Sequence, residues 1–110
     1  MNKKLNKGGY MLKFMSYSDD GHSWLRVPRY LVEDLLGLEK ISICSFQNNG
    51  WLYLEEDADC TLFVNKLKEL NLEYSIKHSS KNGQSHIRNY ERVKNKTNVL
   101  NISADKHIIE

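Results

Sequence analysis

Two short stretches carry the residue types that could do chemistry. "DDGHS", residues 19–23, places Asp19 and Asp20 beside His22, and carboxylates with an imidazole serve as general bases or metal ligands. "EEDADC", residues 55–60, gathers Glu55, Glu56, Asp57 and Asp59 within five positions. Oxygen donors at this density suit a divalent cation. The spacing is not that of a calcium loop, which needs acids at alternate positions, a central glycine and a distal glutamate. No H-x-E or HExxH pairing accompanies His22, and Ser23 lacks the flanking glycines of a nucleophile elbow. The bland account is local. Asp57 or Asp59 fits as the N-cap of a following helix, and acids in a first helical turn complement the dipole. His22 then belongs to a turn, and His78 and His86 flank a second loop.

The elements around these stretches follow from periodicity. "YMLKFMSY", 10–17, and "SWLRV", 23–27, read as strands separated by the turn text "SDDG". Pro28 closes the second strand and suits the first position of a helix. Leu31, Val32 and Leu35 recur at helical spacing before Gly37, which predicts a helix over about 28–36. "ISICSF", 41–46, reads as a strand, and Asn49-Gly50 predicts a tight hairpin into "WLYLE", 51–55. Cys60, Phe63, Val64, Leu67 and Leu70 share one helical face, so a second helix is expected over 57–71, ended by Asn71. "LEYSIKH", 72–78, and "HIRNYERV", 86–93, read as further strands.

The order strand–helix–strand occurs twice, with Trp-Leu pairs beginning at 24 and 51. A split βαβ sheet of ferredoxin-like type satisfies it, with antiparallel strands, both helices on one face and the strands at 10–17 and 86–93 extending the sheet. A plain α+β meander is the alternative. One α+β domain over 10–93 is expected, with a basic segment 1–9 before it and a loosely attached tail, 94–110, after it. In such a fold His22 precedes the first repeat strand and Glu55 follows the antiparallel third, so His22, Glu55, Glu56 and Asp57 could meet at one end of the sheet.

Composition bounds the rest. The chain has 110 residues, 40% of them hydrophobic, enough for one small core. There is no run of 18 apolar residues and no apolar segment behind the basic N-terminus, so neither a membrane span nor a secretory signal is expected. Cys44 and Cys60 lack CxxC spacing and are expected as buried thiols of a cytoplasmic protein. No phosphate-binding glycine loop is present, and no cofactor is expected. Charge is divided. Residues 1–13 hold four lysines and no acid, residues 14–76 have a net charge of −6, and residues 77–110 one of +4.

That division offers two contact surfaces. An acidic one would carry Glu33, Asp34 and Glu39 and fit a basic groove on a partner. A basic strip of Lys77, Lys81, Arg88, Arg92, Lys94 and Lys96 would fit nucleic acid. Trp24, Trp51 and Tyr53 fall on the strands where RNA-recognition domains place stacking aromatics, although the sequence motif of those domains is absent.

"DGHSWLRVPRYLVEDLL" at 20–36 and "ISICSFQNNGWLYLEEDADCTLFVNKL" at 41–67 resemble small, largely uncharacterised proteins of bacterial phages, plasmids and other mobile elements. Those carry G-H-x-W-L-x-V-P, I-S-x-x-S-[FY] and Y-L-E-E-D-x-D segments. Here they are matched by Gly21, His22, Trp24, Leu25, Val27 and Pro28, by Ile41, Ser42, Ser45 and Phe46, and by Tyr53, Leu54, Glu55, Glu56, Asp57 and Asp59. "SHIRNYERV" echoes their S-x-I-R strand. This chain has Ala58-Asp59-Cys60 where the others tend to place cysteine between the two aspartates. The resemblance covers about 75 residues. It implies a mobile-element setting and a fold class rather than a mechanism. The resulting expectation is a non-enzymatic interaction protein that binds a host protein or protein–nucleic acid complex, including a host defence complex. A nucleic-acid-binding module and a small metal-dependent enzyme around His22 and Glu55 are the alternatives.

Overall fold

Residues 11–93 are described by the structure, a computed structural model. Strands β1 (Leu12–Ser18) and β2 (Ser23–Pro28) form a hairpin, and helix α1 (Arg29–Leu35) follows directly. A short 3₁₀ turn at Leu38–Lys40 leads to the hairpin of β3 (Phe46–Asn48) and β4 (Trp51–Glu55). Helix α2 (Asp59–Glu69), β5 (Tyr74–Ser80), a 3₁₀ turn at His86–Asn89 and the two-residue β6 (Glu91–Arg92) complete the chain order. The fold is α+β, as the patterning predicts.

Local chemistry explains the sharpest boundaries. Asn49 and Gly50 both have positive φ, 51° and 83°, which a two-residue turn joining antiparallel strands requires. Gly37, at φ 91°, donates its N–H to the Val32 carbonyl and turns the chain out of α1. Asn71, at φ 58°, does the same service after α2, and its N–H bonds the Lys68 carbonyl.

The sheet runs β5-β1-β2-β4-β3-β6. All pairs are antiparallel except β1 with β5, which are parallel. The sheet is therefore mixed rather than wholly antiparallel. It also differs from the expected ferredoxin-like split βαβ arrangement: β1 does not extend an edge but lies between β5 and β2. A hairpin partner formed by β1 occupies the edge of β2 that β5 would otherwise take, and β5 pairs with β1 along its full length.

Strand alternation sorts the side chains onto two faces. Phe14, Leu25, Val27, Leu52 and Leu54 point to the helix side and join Val32, Ile41, Phe63, Leu67 and Val93 in the main core. Phe14 meets Phe63 edge-on, with ring centroids 5.6 Å apart. Leu31, Leu35, Val64 and Cys60 are half-buried at its margin. On the opposite face Trp24, Phe46, Tyr53 and Ile87 form a second, smaller cluster.

Three expected elements are corrected. Residues 41–45 are not strand. The chain buries Ile41 and then turns, exposing Ile43 and Cys44, and β3 begins only at Phe46. Cys44 is thus an exposed thiol, not a buried one. Residues 86–89 are a 3₁₀ turn rather than strand, because the Ser85 hydroxyl accepts the Ile87 N–H and holds the backbone in a turn. Neither Asp57 nor Asp59 caps α2: the N-cap is Ala58, with no side-chain hydrogen bond. The segments 1–9 and 94–110, with Lys94 and Lys96, lie outside the described residues.

Candidate functional site

Asp59 is the first residue of α2, and its carboxylate turns inward instead of back along the helix. It is 3% exposed. It accepts hydrogen bonds from the Ser42 N–H at 3.1 Å, the Ser42 hydroxyl at 2.8 Å and the Ser45 hydroxyl at 2.6 Å. The Ser45 oxygen in turn accepts the Glu55 N–H at 2.9 Å. A ladder bond that β3 starts too late to make is supplied by a side chain. The buried carboxylate is thereby connected to the backbone of Glu55, at the end of β4.

Glu55 faces the side of the sheet opposite the helices, beside Trp24, its ladder partner on β2. The Glu56 N–H bonds the Ser23 carbonyl at 3.1 Å, which fixes the turn leaving β4 against the start of β2. His22 stands one residue before β2. Its N–H bonds the Asp19 carboxylate at 3.0 Å, and its carbonyl accepts the Asp19 N–H at 2.9 Å. Donor atoms of His22, Glu55 and Glu56 consequently lie within 4.8 Å of one another. Three of the four residues expected to meet at this end of the sheet do so. Asp57 is outside the group, exposed in the next turn, with its N–H bonded to Glu55 Oε1.

Asp19 and Asp20 have another occupation. Asp19 Oδ2 accepts from Arg88 Nε at 2.6 Å and from the Ser85 N–H at 2.8 Å, while Oδ1 accepts from Arg88 Nη2 at 2.9 Å. Asp20 Oδ2 accepts the Gly83 N–H at 2.9 Å. The β1–β2 turn is thus a clasp that holds residues 83–88 across the sheet. The clasp draws Arg88 over the Trp24 ring, 5.6 Å from its centroid. Ile87 is buried beside Trp24, and Tyr90 packs on Tyr53 at 5.1 Å.

The bidentate Arg88 guanidinium holds the Asp19 carboxyl well below the usual carboxylate range, with the N–H groups of Ser85, Gly21 and His22 acting in the same direction. Contact with this segment leaves no Asp19 side-chain surface exposed, although the clasp lies at the edge of the fold. Because the folded-state pKa is depressed, the stability it contributes is present above the unfolded value of about 4 and is lost as the pH falls toward the folded one. In urea unfolding, the stability gap between wild type and Asp19→Asn is expected at full size at neutral pH and to narrow below about pH 4. An unchanged gap at about pH 3 would contradict this assignment.

Between the clasp and the end of β4 lies a hollow of about 320 Å³. Trp24 and Phe46 form its base, His22, Glu55 and Cys44 stand at its rim, and Arg88 and Arg92 close its sides. Arg92 lies over the Phe46 ring at 4.5 Å and donates to the carbonyl of Ile43. Cys60 is not part of the hollow. Burial pushes its thiol pKa up, and the charges of Glu56 and Glu55 push the same way, which favours the protonated thiol.

The rest of that sheet face carries a different chemistry. Row by row, Lys77 of β5 pairs with Met15 of β1, Met15 with Arg26 of β2, and Arg26 with Tyr53 of β4. The Arg26 guanidinium lies 4.3 Å from the Trp51 ring centroid and 5.6 Å from that of Tyr17. Trp51 is 36% exposed, and Lys13 and Lys77 are exposed alongside. Tyr53 and Trp24, also expected as contact residues, are buried under the 85–90 segment. Arg26, Lys13 and Tyr17 were not singled out by the sequence. Lys13 and Tyr17 lie four residues apart and so on one face of β1, and Arg26 sits opposite Met15, midway between them, on the paired β2; that alternation was the available signal.

Glu33, Asp34 and Glu39 are exposed on α1 and the following turn, and Glu33 is bridged by Arg29 at 3.0 Å. Lys81, His78 and His86 are exposed, His86 against Tyr90. Among the described residues, no helix is long and apolar enough to cross a membrane. No protein-family model, no curated protein and no solved structure matches the chain.

Proposed function

We propose that this chain is a binding module without turnover, engaging a macromolecule through the sheet face opposite the helices, and that single-stranded nucleic acid is the partner of best fit. The observation that carries the reading is Arg26 stacked over Trp51 and Tyr17, with the exposed Lys13 and Lys77 on the same face. Aromatic and guanidinium planes stack on bases, and flanking ammonium groups follow a phosphate backbone. The resemblance to mobile-element proteins fits a small factor that acts on a host macromolecule by occupancy.

A protein partner with a basic groove is the competing outcome, with Glu33, Asp34 and Glu39 as its contacts. Those carboxylates stand among compensating cations: Arg29 pairs with Glu33, and Lys40 adjoins Glu39. Around Arg26 the exposed charges of the sheet face are Lys13 and Lys77, and Glu55 lies at the far end, beside Trp24.

Fluorescence anisotropy of labelled single-stranded DNA and RNA tests the proposal. Three cations on the face imply a log affinity against log salt slope of about −2. Trp51→Ala is expected to weaken binding by about 1–3 kcal/mol, the worth of one stacked base. Lys13→Glu with Lys77→Glu should weaken it further and flatten the slope. If those variants bind like wild type, or if only Glu33→Lys, Asp34→Lys and Glu39→Lys abolish binding to the native partner, the sheet-face reading is wrong.

A further inference from the structure

We propose that His22, Glu55 and Glu56 form a binding site for a divalent transition-metal ion at the rim of the Trp24–Phe46 hollow. One imidazole nitrogen and two carboxylates converge with their donor atoms within 4.8 Å. Zinc binds nitrogen and oxygen at about 2.0–2.2 Å, so ligands around one ion stand roughly 3–3.5 Å apart. The observed set closes onto an ion by side-chain rotation alone, because His22 and Glu56 are exposed and Glu55 half-exposed.

The backbone beneath the site is held from several directions. His22 is bonded through both its N–H and its carbonyl to Asp19. Glu55 is fixed through its N–H to Ser45, and Glu56 through its N–H to Ser23. Glu55 Oε1 accepts the Asp57 N–H, which orients the carboxylate and leaves its second oxygen for the ion. A mixed nitrogen–oxygen set favours zinc or manganese over calcium or magnesium, which take oxygen ligands. Three protein ligands leave further positions open, and these adjoin a hollow flanked by Arg88 and Arg92, where an anionic group would be accepted.

The full-length chain, stripped of metal by a chelator and exchanged into clean buffer, provides the test. Substoichiometric Mn²⁺ added to ¹⁵N-labelled protein should broaden the amide signals of His22, Glu55 and Glu56 first. Zn²⁺ titrated calorimetrically should bind at one equivalent. His22→Ala and, separately, Glu56→Gln should each weaken that binding at least tenfold. Glu56 is exposed, so its variant keeps the fold even if the histidine variant does not. Cys44→Ser should leave the affinity unchanged; a loss there would put the thiol among the ligands and overturn the three-residue assignment. Broadening centred on other residues, or wild-type affinity in both ligand variants, would also overturn it.

Discussion

Replacing Asp59 with alanine is expected to destabilise the fold by about 3–5 kcal/mol, a large part of the total for a domain of this size. The carboxylate is the acceptor for the Ser42 N–H and for two serine hydroxyls in a nearly water-free pocket. A buried donor left without a partner costs about 1–3 kcal/mol, and bonds to a charged acceptor are the stronger kind. The damage also spreads. Ser45 Oγ accepts from the Glu55 N–H and Ser42 Oγ from the Cys44 N–H, so the turn before β3 and the end of β4 loosen together. Asp59→Asn should cost less, since the amide oxygen can replace Oδ2, which receives both hydroxyl bonds. Chemical unfolding of the two variants decides the matter. Equal losses, or an alanine variant within about 1 kcal/mol of wild type, would mean that the network relaxes onto water.

The same residue shows how local grammar misleads. An acid at the start of an amphipathic helix reads as a cap, because most such acids serve the helix end. Yet positions 59, 63 and 67 lie on one helical face, and Phe63 and Leu67 are fully buried. An acid on the apolar stripe, together with serines at 42 and 45 in an otherwise apolar run, was a readable sign of a buried polar network. The hairpin at Asn49-Gly50, the two helices and their ends at Gly37 and Asn71 were legible, since each depends on a few neighbouring residues. The place of β1 was not. Periodicity identifies a strand but not its neighbours, and the edge of β2 is taken by whichever partner closes the shorter loop. The meeting of His22 with Glu55 and Glu56 was legible only through the sheet, as a consequence of antiparallel β2 and β4. Arg88 read as part of a basic strip because its partner, Asp19, is 69 residues away in sequence.

Trp24→Ala is expected to cost about 3–5 kcal/mol, comparable to removing a residue of the main core, but through a different route. Trp24 is 2% exposed on the face that the helices do not cover. Its ring meets Phe46 at 6.2 Å, His22 at 6.0 Å and the Arg88 guanidinium at 5.6 Å. Residues 85–90 bury Ile87 against it and pack Tyr90 on the neighbouring Tyr53. Without the indole, this segment keeps the Asp19 clasp, the Tyr90–Tyr53 contact and its link through β6 to β3. The main core on the other face keeps its packing. Hydrogen exchange should therefore quicken first at residues 83–92, well before β4 or α2, while urea unfolding reports the global loss. Ion binding at His22 should weaken in step, since the histidine loses the ring beside it. Uniformly faster exchange across all strands would show instead that the two clusters are one cooperative core. Protection of 83–92 at the wild-type level would show that the clasp, Tyr90 and the β3–β6 pairing hold the segment without the indole, making Trp24 a surface for a ligand rather than a support for the fold.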